Sequence, residues 1–155
     1  MDASPEPRPA ARAALDVFVG EWSIAALFPD APPTGPAGRA VFAWDLGGQF
    51  LVQRVEIADA AAPDSQWILA ADGDGTTYTA HYFDSRGVVR LYRMTFGDGI
   101  WTLQRDTADF SPLPFAQRFR GTFSDDATTI HARWELAEDG ATWRPDFDLT
   151  YTRLA

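Results

Sequence analysis

Two histidines, His81 and His131, and no cysteine occur in the 155-residue chain. Disulfides, thiolate metal sites and cysteine nucleophiles are therefore excluded, and two scattered imidazoles cannot assemble a histidine-rich metal centre. Ser85 and Ser111 lack the Gly-x-Ser-x-Gly elbow of a serine nucleophile. The glycine-rich stretches at 73–75 and 97–99 precede no helical pattern, so they read as hairpin corners and not as phosphate cradles. Carboxylates at Asp125, Asp126, Glu138 and Asp139 fall in turns, and Asp146 and Asp148 alternate with Phe147 and Leu149; all are expected to face water. What remains is a set of polar side chains embedded in aromatic runs: Gln53, His81, Arg93 and Arg105, interleaved with Trp44, Trp67 and Trp101. An imidazole among aromatics can serve as ligand, acid or hydrogen-bond donor. A guanidinium enclosed by apolar groups needs a carboxylate, and a ligand can supply it. These seven residues are the candidate ligand-binding set, with Arg90 replacing Arg93 if the opposite face of its strand is enclosed.

The elements that must position them are short. Residues 1–8, with Pro5 and Pro7 and no apolar period, are expected to be disordered, leaving one domain over 9–155. Pro9 suits the start of a helix over Pro9–Phe18, too short to stand alone and so obliged to pack on something. From Gly20 onward, alternating or aromatic runs are cut by turn signals every eight to twelve residues, the mark of an all-β domain. The expected strands are Glu21–Phe28, Arg39–Leu46, Gln49–Ala58, Gln66–Asp72, Thr76–Asp84, Val88–Phe96, Ile100–Asp106, Gln117–Ser124, Thr129–Ala137 and Trp143–Arg153. Gly47-Gly48 makes a hairpin that puts Phe42, Trp44, Leu51, Gln53 and Val55 on one face. Gly73-Asp74-Gly75, Ser85-Arg86-Gly87 and Gly97-Asp98-Gly99 read as three-residue loops ending on a left-handed glycine. The turn at 125–128 aligns Phe119, Gly121 and Phe123 with Trp134, Ala132 and Ile130, because a slip of one residue would invert every side chain.

Strands 76–106 are ambiguous, since both faces are apolar with embedded arginines. The face carrying Trp67, Leu69, His81, Phe83, Leu91, Arg93, Trp101, Leu103 and Arg105 is taken as inward for its larger indole and aliphatic content. Ten sequential antiparallel strands laid flat would leave two edges and an exposed apolar face. Closure into a single ten-stranded antiparallel up-and-down barrel with a short N-terminal helix removes both, a two-sheet sandwich being the alternative. The Pro/Gly-rich loop 29–38 and the loop 107–116, with Phe110, Leu113 and Phe115, are placed at the mouth.

Gly20-Glu21-Trp22 directly after the helix, together with Arg153 at the end of the last strand, resembles the lipocalin-like (calycin) superfamily, in which such a tryptophan closes the barrel base beneath a C-terminal arginine. The segments Leu15–Trp22, Trp44–Arg54, 81–87, Trp101–Asp106, Arg118–Ser124 and Asp146–Arg153 are similar to bacterial DUF1579-type proteins, a resemblance that implies a fold and no chemistry. Nitrobindin, more distantly similar, holds haem through a histidine near its C-terminal end; Trp143–Arg153 contains none.

Charge narrows the partners. With 22 acidic against 13 basic residues the net charge is −9, and a pI near 4.5 disfavours nucleic acid. No apolar run reaches membrane-spanning length, and no signal-peptide layout is visible, so a cytoplasmic location and no membrane partner are expected. The 21 aromatic side chains exceed what filling one barrel requires. The expected function is binding of a small, largely apolar ligand, carboxylate-bearing in one version, without a cofactor. The alternatives are a cavity enzyme using His81 as acid/base, a haem or nitric-oxide binder, and a purely structural barrel. Homodimerisation through exposed aromatics is a further expectation.

Overall fold

A computed structural model describes residues 9–29, 38–58 and 62–154. The expected disorder of residues 1–8, and most of the mouth loop 29–38, lie outside the described residues. A five-residue helix, α1 (Ala10–Ala14), runs into a 3₁₀ turn at Leu15–Phe18. Ten strands follow: β1 (Gly20–Leu27), β2 (Gly38–Asp45), β3 (Phe50–Ile57), β4 (Ser65–Ala71), β5 (Tyr78–Asp84), β6 (Val89–Gly97), β7 (Ile100–Arg105), β8 (Ala116–Phe123), β9 (Thr129–Ala137) and β10 (Arg144–Arg153). Each pairs with its sequence neighbour, and β10 returns to β1, closing an antiparallel barrel with no free edge.

Closure is fixed where the two chain ends of the barrel meet. Trp22 lies opposite Arg153 in the β1–β10 ladder, and the guanidinium sits 4.1 Å from the indole ring, a cation–π contact. Arg153 also donates to the carbonyls of Val17 (2.5 Å) and Val19 (2.8 Å), tying the 3₁₀ turn to the last strand. Trp22 Nε1 donates to the Phe18 carbonyl at 2.9 Å.

The helix is stable because it plugs this end of the barrel. Phe18 is fully buried and stands 5.0 Å from both Phe96 and Trp101 and 5.3 Å from Phe42 between ring centres. Burying a phenyl ring this completely contributes roughly 2–3 kcal/mol. The Tyr78 hydroxyl donates to the Ala11 carbonyl at 2.5 Å, and Trp44 Nε1 donates to Asp16 Oδ1 at 2.8 Å.

Side chains alternate in and out as the pleat requires. The β2–β3 register is as expected, with Phe42 opposite Gln53 and Trp44 opposite Leu51. So is the β8–β9 register, with Phe119 opposite Trp134 and Phe123 opposite Ile130. Two turns differ in length from expectation, and each inverts a face. Between β4 and β5 the loop is one residue longer: Asp72 N–H bonds to the Thr77 carbonyl, so Trp67 lies opposite Tyr82, not His81. Between β6 and β7 it is one shorter. Gly97 is the last strand residue, and Asp98-Gly99, with φ of 53° and 73°, forms a two-residue type I′ turn that sets Phe96 opposite Trp101. The two changes turn β5 and β6 over together. Tyr78, Ala80, Tyr82, Arg90, Tyr92 and Met94 face inward, whereas His81, Phe83, Leu91 and Arg93 face outward.

Candidate functional site

The turns at 45–50, 71–78, 97–100 and 123–129 and the helical plug occupy one end of the barrel; the short turn at 84–89 and the longer connections at 105–116 and 137–144 lie at the other. Between plug and open end lies a cavity of about 850 Å³, within the roughly 300–1,000 Å³ of small-molecule sites. Its walls are aromatic. Trp67 and Trp134 stack at 27° with centres 6.4 Å apart, Tyr92 packs 5.2 Å from Trp67, and Phe119 stands 4.7 Å from Trp101.

Polar groups in the lumen are few. The Tyr92 hydroxyl donates to Gln117 Oε1 at 2.7 Å, so that pair is satisfied internally. Tyr82 donates to Asp84 Oδ2 at 2.7 Å, and Asp84 is in turn paired with Arg86 at 2.7 Å. Burial opposes ionisation of Asp84, but the Arg86 guanidinium, the Tyr82 hydroxyl and the backbone N–H groups of Arg86 and Val88 together hold its carboxyl at about 2. Burial pushes the Tyr151 phenol up to about 12, the Gln53 side chain opposing. Burial also raises Tyr82 and Tyr92 above the ordinary phenol value. The lumenal tyrosines are thus neutral hydroxyls at physiological pH. Asp146, expected to face water, instead lines the cavity: it is the extra residue of a β-bulge between Pro145 and Phe147, and burial raises its carboxyl above the ordinary range.

Three donor atoms make no well-formed hydrogen bond, although the Gln53 amide lies beside the Tyr151 hydroxyl and the Arg90 guanidinium beside that of Tyr92. Gln53 Nε2, Trp101 Nε1 and Arg90 Nε are buried without a hydrogen bond, and all three residues line this one cavity. An unpaired buried donor costs about 1–3 kcal/mol, so three of them on the wall of one hollow space suit a site that receives acceptor atoms.

The expected site residues divide accordingly. Gln53, Trp67 and Trp101 line the cavity. Trp44 lies toward the plug, where its indole holds Asp16. Arg105 is inward and 2% exposed, but its carboxylate partner is internal: Asp109 accepts from Nε at 3.0 Å and from Nη2 at 2.9 Å, and the carbonyls of Ser111 and Pro112 take further bonds. The guanidinium holds the Asp109 carboxyl well below the usual carboxylate range, with the Leu91 and Ser111 N–H groups adding to it. Arg105 therefore anchors the 107–116 loop, whose Phe115 lines the cavity, while Phe110 is exposed. His81 and Arg93 are corrections: both are outside the barrel, Arg93 paired on the surface with Asp106 at 2.9 Å. With His81 outside, the reading of it as a cavity acid/base is overturned. The inward basic residue of that strand is Arg90, the alternative carried by the opposite face.

Tyr82, Tyr92 and Trp134 escaped the candidate set. Trp134 could have been found, because the 125–128 turn already placed it inward opposite Phe119. Neither histidine lines the cavity; His131 lies on a groove of the outer wall. The lumen therefore offers no imidazole to an iron, and its residues do not fit histidine-ligated haem. Among the described residues no cluster of three or more His, Cys, Asp or Glu could hold a metal ion, and no helix is long and apolar enough to cross a membrane.

Neither a protein-family model nor a curated protein sequence matches the chain. Its structure is similar to the crystal structure of Rv2717c from M. tuberculosis, with a TM-score of 0.63 and 16% sequence identity over 99% of this chain and 100% of that one. At that identity the likeness shows the barrel fold alone.

Proposed function

We propose that this protein is a binding protein for a small, largely apolar ligand enclosed in the barrel, and that it is a lipocalin-like barrel of the DUF1579 type. The observation that carries the first reading is the coincidence of an aromatic-walled cavity of about 850 Å³ with three unbonded donor atoms on residues that line it. A barrel serving only as scaffold has no reason to leave Gln53 and Trp101 buried and unbonded, since filling the space with aliphatic side chains would be more stable. Support for the second reading comes from the Trp22–Arg153 closure under a short helix.

The test is native mass spectrometry of the purified protein, followed by titration with a panel of aromatic and fatty acids, monitored by tryptophan fluorescence. Occupancy or saturable binding is expected. Ala26→Phe, which projects a ring into the lumen from β1, should abolish binding while the far-ultraviolet spectrum and melting cooperativity are kept. Equal binding by the filled variant would place the ligand elsewhere and refute the proposal.

A further inference from the structure

The three unpaired donors lie at different depths, and on the reading that the lumen is a ligand site this separation specifies the ligand. Gln53 and Trp101 are 1% and 2% exposed. Trp101 sits directly on the plug, its ring 5.0 Å from Phe18 and 6.0 Å from Tyr151. Arg90 is the second residue of β6, at the open end, with its guanidinium 6.0 Å from the ring of Phe115 on the 107–116 loop. Trp101 pairs with Phe96 on that same strand. At a rise of about 3.3 Å per residue and a strand tilt near 40°, with about 3 Å regained in the step from Phe96 to Trp101, Arg90 lies roughly 12 Å above Trp101 along the barrel axis. Gln53 is linked to Arg90 by the register row Gln53–Trp67–Tyr82–Arg90, and the same tilt puts it roughly 9 Å deeper.

The floor donors are neutral. An anion placed there would be fully desolvated without a countercharge, because the buried guanidinium of Arg105 is already bonded to Asp109. A keto or ether oxygen is different: it accepts from Trp101 Nε1 and Gln53 Nε2 and introduces no charge. At the open end the situation reverses. Arg86 is committed to Asp84, whereas Arg90, whose guanidinium also lies beside the Tyr92 hydroxyl, lines the cavity and keeps its Nε–H unbonded. Asp146, the lining carboxylate, stands on β10, four strands round the barrel from β6.

We infer that the ligand is an elongated aromatic anion carrying a neutral hydrogen-bond acceptor at its far end, inserted acceptor first. The acceptor sits on Trp101 and Gln53, the rings lie between Trp67, Tyr92 and Trp134, and the negative group meets Arg90 at the mouth.

Three matched probes test this by calorimetry: 4′-acetylbiphenyl-4-carboxylate, its 4′-isopropyl analogue lacking the carbonyl, and its methyl ester lacking the charge. The acetyl acid should bind at least tenfold more tightly than either analogue. Trp101→Phe and Gln53→Met should erase the preference for acetyl over isopropyl, and Arg90→Met the preference for acid over ester. The two wild-type comparisons hold even where a variant fails to fold. Equal binding of the acetyl and isopropyl acids overturns the floor assignment while leaving the lumen a ligand site. An acid preference that survives Arg90→Met but vanishes in Trp101→Phe overturns the orientation. If none of the three binds, the cavity reading falls with the inference.

Discussion

Two ion pairs close together in the chain allow burial to be separated from charge. Arg105 and Asp109 have side chains 1% and 8% exposed, whereas Arg93 and Asp106 are 73% and 41% exposed. Removing Asp109 leaves a guanidinium inside the barrel with only the Ser111 and Pro112 carbonyls as partners, and also strips an acceptor from the Leu91 and Ser111 N–H groups. Breaking a buried pair from one side typically costs about 3–5 kcal/mol, while an exposed pair is worth about 0–1. For 155 residues an unfolding entropy of about 2.1 cal/mol/K per residue converts the first figure to a fall of about 10–15 °C in Tm and the second to 3 °C or less. Asp109→Ala and Asp106→Ala, compared by calorimetry at neutral pH, should differ by that margin. Acid supplies a second signature. The folded pKa of Asp109 is depressed, so its contribution is complete above the unfolded value near 3.9 and fades as pH falls below it. The gap between wild type and Asp109→Ala should therefore narrow below about pH 4. Similar melting of the two variants at neutral pH, or a gap that does not narrow in acid, would refute the argument that burial makes this pair the loop's anchor.

Further outcomes follow from the same geometry. Arg153→Met should cost about 2–3 kcal/mol by urea denaturation, since it removes a cation–π contact and hydrogen bonds to two carbonyls of the plug. Gly20→Ala should be destabilising despite its small size: φ is +130°, and the new Cβ would stand 2.9 Å from Arg153 Nη1; wild-type stability in the same titration would contradict the closure. Asp84, held at about 2, should contribute stability that fades between about pH 4 and pH 2, measurable as a shallower acid limb in Asp84→Ala.

The sequence made the barrel legible because its turns are explicit and its closure residues are distinctive types. Trp22 and Arg153 were paired from the resemblance to lipocalin-like barrels, with which cation–π chemistry agrees, and the β2–β3 and β8–β9 registers from apolar matching across the turn. The site was only partly legible because strand parity is set by loop length to the residue. Gly97-Asp98-Gly99 looks like a three-residue loop, yet Gly97 pairs with Ile100; Thr76 looks like strand and is loop. Each misreading shifts parity by one, and with both faces of β5 and β6 rich in aromatics no polar side chain betrayed the error. His81 and Arg93 were carried inward as a result, and Tyr82 and Arg90 outward. Arg105 was placed on the correct face, but its partner Asp109 lies in a loop whose course the strand pattern does not determine.

The six tryptophans offer the most direct check on the central claim. Trp67, Trp101 and Trp134 line the cavity; Trp22 lies under Arg153, Trp44 holds the plug, and Trp143 stacks with Arg118 on the outside. Fluorine NMR of the 5-fluorotryptophan-labelled protein, titrated with the acetylbiphenyl acid, should move the three lumenal resonances together and leave the other three in place. Shifts confined to Trp22, Trp44 or Trp143, with the lumenal signals unmoved, would contradict a ligand held inside the barrel.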